Sequence, residues 1–288
     1  MADCSEEKAE MIAQISDIYP KIKKIKIPNK ISDNITLSTM HGCPSDEIEK
    51  IGHYLLTEKN LHTFIKLNPT LLGQQEINDL LRKMEFNTVV PDAAFEHDID
   101  YQAASNLIES LQKTADEQKL IFGIKLTNTL ESLNHKNIFD SDAMYMSGKA
   151  LHPISINVAH KIRQDFQDLP LSFCGGVTAR NIDDVLKCGL APVTVCSDIL
   201  KPGGYTRLLQ YLDNIDPDYK TIDSIEYLKH YKEKVKFDHN YSHEEKSIKS
   251  WRKLGEFDCI SAPCIDKCPT HQNIPAYLDF VANDKPDR

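Results

Sequence analysis

The chain has 288 residues, a formal net charge of −9, and 41% hydrophobic and 27% charged residues, which is the composition of an ordinary globular protein. The acidic balance argues against a nucleic-acid partner, because phosphate binding favours a basic face. No apolar run approaches the ~20 residues of a membrane helix, and the acidic N-terminus lacks the features of a signal peptide, so we expect a cytoplasmic protein without structural disulfides.

Short apolar runs alternate with longer segments of helical period along most of the chain. The first 30 residues are amphipathic and predict a helix that leads into a loop. The strands predicted after it are 35–39, 63–67, 88–90, 121–126, 171–174 and 193–196. The helices predicted between and after them are 46–56, 75–84, 101–117, 154–166, 181–188 and 205–212. Such alternation predicts a parallel sheet with right-handed crossovers.

Six strand–helix units fit either a doubly wound sheet or part of an eight-unit barrel. Polar and glycine-rich motifs follow the predicted strands, as they do at the catalytic end of a barrel. We therefore predict an α/β fold, a (β/α)8 TIM-type barrel over residues 1–214 that is incomplete at its N-terminus. Residues 215–256 are polar and charged and are predicted to form a linker, and residues 257–288 are predicted to begin a small helical domain.

A His-Gly-Cys-Pro sequence follows the first predicted strand. Cys43 could act there as a general acid whose pKa is tuned by His41. A structural Gly-Cys-Pro turn explains the same residues equally well, so both interpretations stay open.

Two predicted strands carry a lysine within an apolar run, Lys66 and Lys125. A lysine that faces a barrel interior needs an anionic or electron-rich partner, because burying it unpaired costs several kcal/mol. A flavin ring or its phosphate would serve. The alternative is that each lysine points to solvent from a strand end.

Glycines and a serine follow the last two predicted strands. Gly175 and Gly176 would let backbone N–H groups approach an anion closely, and Ser197, next to Cys196, would add a hydroxyl donor. Together they predict a phosphate-binding site between two strand ends of a barrel. The alternative is a tight turn that contains two glycines.

Three cysteines near the C-terminus have the spacing C-x4-C-x3-C-P, namely Cys259, Cys264 and Cys268. Thiolates at this spacing before a proline are characteristic of iron–sulfur ligation, whereas zinc sites more often use C-x2-C pairs. Three thiolates do not complete a 4Fe-4S cluster, so we expect the remaining ligands to lie beyond Arg288.

Taken together, these motifs resemble known flavoproteins. The Lys-Leu strands, the Thr-Asn-Thr strand end and Ser147-Gly148 resemble the FMN barrel of the dihydroorotate and dihydropyrimidine dehydrogenases. The segments TLSTMHGCP, FIKLNPTLLG and KPGGY more closely resemble the selenate reductase subunit family, which consists of iron–sulfur flavoproteins. The cysteine segment resembles the dicluster domain that opens glutamate synthase small subunits.

The resemblance implies a set of site residues. Cys43 would stand at the catalytic-acid position. FMN would be contacted by Lys66 or Lys125 and by Asn128, Thr129, Gly148, Gly175, Gly176, Cys196 and Ser197. Met40 stands where these dehydrogenases have a substrate-binding asparagine, and Glu256 stands where the cluster domain has its first cysteine.

The resemblance also implies an oxidoreductase. FMN would exchange electrons with a small-molecule substrate, and 4Fe-4S clusters would pass them to or from a downstream FAD/NADPH domain, with molybdenum hydroxylase-type subunits as partners. Two alternatives stay open. One is a non-catalytic barrel that serves as a scaffold for a multi-subunit reductase, which the missing asparagine favours. The other is a phosphate-binding lyase or isomerase in which Lys66 or Lys125 supplies a catalytic amine.

Overall fold

Parallel strands form the central sheet. The computed structural model describes residues 3–30, 32–39, 41–135, 137, 140–201, 203–242, 269 and 281. The sheet has the strand order β1-β2-β3-β6, and Val193 extends it through a parallel bridge to Phe173. Its strands are β1 (Asn34–Ser38), β2 (His62–Leu67), β3 (Phe122–Leu126) and β6 (Leu171–Phe173). A separate antiparallel hairpin consists of β4 (Leu130–Leu133) and β5 (Ala143–Met146).

Helices connect the strands and cover the sheet. They are α1 (Ser5–Ser16), α2 (Ser45–Thr57), α3 (Gln74–Lys83), α4 (Asp92–His97), α5 (Tyr101–Gln118), α6 (His152–Asp165), α7 (Ile182–Lys187), α8 (Arg207–Asp213) and α9 (Ser224–Val235). Short 3-10 turns lie at Pro20–Lys24, Pro69–Leu72, Gly148–Leu151, Gly204–Thr206 and Tyr219–Thr221. None of the described helices is long and apolar enough to cross a membrane.

The two faces of the sheet differ in character. Side chains alternate along a strand, and parallel partners in register point to the same face. Ile65 and Ile124 are register partners and are fully buried in the main hydrophobic core. Lys66 and Lys125, the next pair along, therefore lie on the opposite face and are half-buried. One face packs against helices, and the other carries the polar residues of the barrel interior.

The predicted parallel α/β fold is confirmed, with two corrections to the strands. Residues 88–90, predicted as a strand, lie outside the sheet, because β2 already pairs with β1 and β3 on its two sides. Instead the Val89 carbonyl accepts a hydrogen bond from Leu133 N–H at 2.9 Å, next to the hairpin that the sequence did not predict. The predicted strand 193–196 is reduced to the bridge at Val193.

The chain after residue 214 packs against the barrel as far as it is described. Helix α9 begins after Asp223, whose carboxylate caps the N–H groups of Ile225 and Glu226, and it contacts α6. Leu228, Tyr231 and Val235 of α9 are buried in the main core. The predicted linker 215–256 therefore has a packed helix in its described part, and Cys259, Cys264 and Cys268 lie outside the described residues.

Candidate functional site

The loops that follow the strands converge at the carboxyl end of the sheet. His41 follows β1, Asn68 follows β2, Asn128 follows β3 and Gly175 follows β6. Asn128 Nδ2 donates to Asn68 Oδ1 at 2.6 Å, and Ser38 Oγ donates to Asn128 Oδ1 at 3.2 Å. In parallel α/β barrels this end carries the functional site.

Three loops form the predicted glycine cradle, which consists of Gly148, Gly175, Gly176 and Ser197. A Cβ on Gly176 would lie 2.4 Å from the Gly148 carbonyl oxygen, and its φ is +62°. A Cβ on Gly148 would lie 3.5 Å from Ser197 Oγ. The backbones approach each other so closely that only glycine fits at position 176. The structure thus brings these four predicted residues together.

A buried polar network supports the cradle from beneath. His152 Nδ1 lies 2.7 Å from the Gly175 carbonyl oxygen, and its Nε2 lies 3.0 Å from Tyr231 Oη on α9. Asn181 Nδ2 lies 3.1 Å from the Gly176 carbonyl oxygen and 2.9 Å from Tyr241 Oη. Burial lowers the pKa of His152 to about 4, against a smaller opposing effect of its hydrogen bond to Gly175, so the ring is neutral. Both glycine carbonyls are fixed by side chains.

The two predicted lysines are neighbours. Lys66 and Lys125 are register partners in β2 and β3, and Ser38 and Ser172 continue the same row. Within the described part of the chain neither ammonium group has an ion pair or a hydrogen bond. Two adjacent cations without a carboxylate attract an anion to this face of the sheet.

A charged group lies at the same rim, and of its members the sequence analysis had identified only His41. We call it the rim cluster, formed by His41, His97, Asp98 and Glu131. His41 Nδ1 lies 3.2 Å and His97 Nδ1 lies 3.3 Å from Asp98 Oδ1. His97 Nε2 lies 3.6 Å from Glu131 Oε2. The carboxylate of Asp98 thus contacts both histidines.

Cys43 lies beside the rim cluster. It lines a cavity of about 10 Å³ together with Gly42, Lys66, Asn68 and Asp98, and this volume suits one water molecule. Burial and the carboxylates of Glu47 and Asp46 raise the pKa of the Cys43 thiol. The predicted general acid Cys43 is therefore protonated at neutral pH, which is the state from which an acid donates its proton.

The remaining predicted residues are less tightly placed. Thr129 is half-buried at the end of β3, and Cys196 is exposed next to Ser197. The buried carboxylate of Asp198 anchors that loop through Arg207 at 3.1 Å and Tyr211 at 2.8 Å. The described residues contain no group of three or more His, Cys, Asp or Glu side chains that could hold a metal ion.

Comparisons with known proteins agree with this fold. The family model for the N-terminal TIM-barrel domain of oxidoreductase YgfK matches residues 1–244. Two curated relatives, each named "Putative oxidoreductase YgfK", come from Escherichia coli strain K12 and Escherichia coli O157:H7. Each is 39% identical over 264 residues, which cover 89% of this chain and 26% of the relative. The TIM-type prediction is confirmed, and the chain spans about a quarter of the length of these relatives.

Proposed function

This chain belongs to the YgfK oxidoreductase family, and we propose that its barrel binds FMN as part of an iron–sulfur flavoprotein of the selenate reductase subunit type. The observation that carries the proposal is the unpaired lysine pair on the barrel interior. Lys66 and Lys125 sit side by side with no carboxylate partner among the described residues. An anionic or electron-rich ligand is the natural complement of such a pair.

The glycine cradle supports a phosphorylated ligand. Lys125 is the register partner of Ser172, and Gly175 follows Ser172 by three residues, just past the end of β6, so the lysine pair and the cradle lie at the same end of the sheet. A side chain at Gly175 would collide with Ser155 and one at Gly176 with the Gly148 backbone, so the loops of the cradle meet closely, and Ser197 adds a hydroxyl group. A ligand with a polar ring at one end and a phosphate at the other would contact the lysine pair with the ring and the cradle with the phosphate.

When bound, FMN would supply the electron-transfer chemistry, and the protein would position it and adjust its charge. Lys66 or Lys125 would face the ring, Asn128 and Thr129 would contact it from the end of β3, and the glycine cradle would hold the phosphate. We further propose that Cys259, Cys264 and Cys268 belong to a 4Fe-4S site completed by other ligands. Such clusters would connect the barrel in the cytoplasm to an FAD/NADPH domain and to molybdenum hydroxylase-type subunits.

Titration of FMN into the protein, followed by quenching of flavin fluorescence, tests the proposal. Replacing Lys66 or Lys125 with Met is expected to weaken FMN binding about tenfold or more, since a hydrogen bond to a charged group contributes roughly 1.5–3 kcal/mol. Lys113→Met is the matched control, because Lys113 is an exposed lysine on α5. It should leave the affinity unchanged.

A comparison of FMN with riboflavin, which lacks the phosphate, tests the lysine pair and the glycine cradle separately. The lysine variants should weaken riboflavin and FMN alike if the lysines face the ring, whereas Gly176→Ala should weaken only FMN. Absence of FMN binding by the folded wild-type protein would refute the proposal. In that case, borohydride trapping of an aldehyde on Lys66 or Lys125 would favour a lyase or isomerase, and absence of both would favour a scaffold.

A further inference from the structure

The rim cluster is assembled from loops that are distant in sequence. His41 follows β1, Asp98 follows α4, and Glu131 begins the hairpin after β3. Thr70, from the turn after β2, donates to Asp98 Oδ2 at 2.8 Å. His41, Thr70 and Glu131 follow the ends of β1, β2 and β3, where the catalytic residues of a barrel lie, and Asp98 reaches them from the end of α4.

Asp98 is buried, and both of its carboxylate oxygens accept hydrogen bonds. Its side chain is 1% exposed, and it accepts hydrogen bonds from Thr70 and, at 3.4 Å, from the N–H group of Gly42. Burial acts to raise the pKa of Asp98, but the hydrogen bonds from His41 and Thr70 outweigh it and hold the pKa below its usual range. A buried anion at the rim stabilises a positive charge on whichever imidazole contacts it.

His41 contacts this anion and is partly exposed to solvent. Its Nδ1 points to Asp98, and its ring stacks on Tyr145 with 5.5 Å between the ring centroids. Its side chain is 20% exposed, and Nε2 has no hydrogen-bond partner among the described residues. The next two residues in the chain, Gly42 and Cys43, line the small cavity, and Lys66 lines it as well.

We propose that His41 is the proton-transfer residue of the barrel mouth and that Asp98 is the residue that positions it. Asp98 accepts the Nδ1–H hydrogen bond and so fixes the tautomer whose Nε2 exchanges protons with a substrate in the cleft. The reaction served by this proton transfer is the redox reaction proposed above. The substrate is a small molecule whose two-electron oxidation or reduction moves a proton together with the electron pair.

The proton-transfer step balances without a further reactant. In the reducing direction the Nε2–H bond of the imidazolium breaks and a new bond forms between the proton and a substrate atom. The imidazole becomes neutral, keeps Nδ1–H donated to Asp98, and regains a proton from solvent through its exposed edge. The reverse transfer accompanies substrate oxidation.

His41 suits this role better than the predicted catalytic residue Cys43. The hydrogen bond to Asp98 raises the pKa of His41 above its ordinary value, while partial burial opposes the shift, so that the contact with Asp98 favours the protonated ring. The Cys43 thiol, whose pKa is raised, keeps its proton. The other titratable groups that face His41 among the described residues are Glu131, His97 and Tyr145, and of these Glu131 adds negative charge beyond Asp98.

A histidine side-chain NMR titration of the 15N-labelled protein tests the proposal. In the wild type, His41 should show the Nδ1–H tautomer and a pKa above 6.5. Asp98→Asn should lower that pKa by about one unit or more, since it removes the charge and retains the shape. The matched control is His97→Gln, which removes the other histidine on Asp98 and should leave the His41 pKa raised.

A second measurement reports the chemistry of Nε2. Diethyl pyrocarbonate should acylate His41 at Nε2, and its pH dependence should shift downward in Asp98→Asn. If that variant fails to fold, Thr70→Val serves instead, because it removes only one hydrogen bond to Asp98. An ordinary, Asp98-independent His41 pKa or an unreactive Nε2 would overturn the proposal. Neither measurement needs flavin, so failure of FMN to bind would count against the proposed function and not against this inference.

Discussion

Two histidines at the same end of the barrel lie in opposite environments. His152 is completely buried beneath the glycine cradle, and both of its ring nitrogens have uncharged partners, the Gly175 carbonyl and the Tyr231 hydroxyl. His41 lies at the rim, where Nδ1 faces a buried carboxylate and Nε2 has no hydrogen-bond partner among the described residues. The first environment favours a neutral ring and the second a charged one.

The two environments give the two histidines different roles, one structural and one reactive. The network beneath the cradle lacks a charged partner within hydrogen-bond distance of His152, so its ring fixes the backbone and exchanges no proton at neutral pH. At the rim the charge of Asp98 is fixed and solvent reaches His41. A histidine is therefore identified as structural or reactive by its partners and not by its burial alone.

The largest expected effect is on stability, from His152→Ala. The substitution leaves a cavity and removes hydrogen bonds to Gly175 and Tyr231, so we expect a loss on the order of 3 kcal/mol in the free energy of unfolding. His41→Ala should cost less, about 1–2 kcal/mol, because Asp98 keeps Thr70 and His97. Urea denaturation measures both, and equal losses would remove the distinction between the two sites.

The two histidines should also give opposite pH dependences. The pKa of His152 is about 4 when folded and about 6.5 when unfolded, so the folded state binds fewer protons. Its contribution is present above pH 6.5 and is lost as the pH falls towards 4, by about 2 kcal/mol at pH 5. The pKa of His41 is raised on folding, so its contribution is present below pH 6.5 and is lost as the pH rises through the folded pKa.

Urea denaturation at pH 7 and pH 5 measures the first effect. Protonation of carboxylates also destabilises the protein in acid. The informative quantity is therefore the difference in the pH-dependent loss of stability between the wild type and His152→Gln. The variant should lose about 2 kcal/mol less between these pH values than the wild type. An identical loss in both proteins would show that His152 is not the buried neutral ring described here.

The glycine cradle gives a smaller effect with a matched control. Gly176→Ala combines a left-handed backbone with a contact of 2.4 Å to the Gly148 carbonyl, whereas Gly73→Ala has φ of +95° and nothing within 4 Å. We expect Gly73→Ala to cost about 1 kcal/mol and Gly176→Ala about 2 kcal/mol or more. Thermal unfolding compares the two. Equal costs would indicate that backbone conformation, and not crowding in the cradle, requires Gly176.

The smallest effect is a gain in stability. Like charges that are directly opposite in neighbouring strands are destabilising, so Lys66→Met should raise the free energy of unfolding of the ligand-free protein by about 0.5 kcal/mol. The same substitution should weaken FMN binding, which is the expected conflict between stability and function. A loss of more than 1 kcal/mol, measured by urea denaturation, would mean that Lys66 has a partner in the folded protein.

Local sequence patterns predicted the cradle but not the rim cluster. Gly175 and Ser197 follow neighbouring strand ends, so the topology alone brings them together. Asp98 follows a short helix, in no recognisable motif, and its partners His41 and Thr70 are 57 and 28 residues away. Their meeting depends on loop conformations that periodicity does not specify.

The lysine pair illustrates an intermediate case. The apolar runs around Lys66 and Lys125 predicted two strands with a lysine each, and both strands are present. Their direct pairing depends on the register of β2 against β3, which a run of similar residues does not determine. The run 88–90 was predicted as a strand because its composition favours one, but it lies outside the sheet, where β2 already pairs with β1 and β3.

The flavin content of the purified 288-residue protein tests the central claim most directly. We predict a yellow protein with the two absorbance bands of bound flavin and about one FMN per chain after acid extraction. The double substitution of Lys66 and Lys125 by Met should remove most of this FMN while the protein stays folded. A folded, colourless wild-type protein that also takes up no added FMN would contradict the account, as would full FMN content in the double variant.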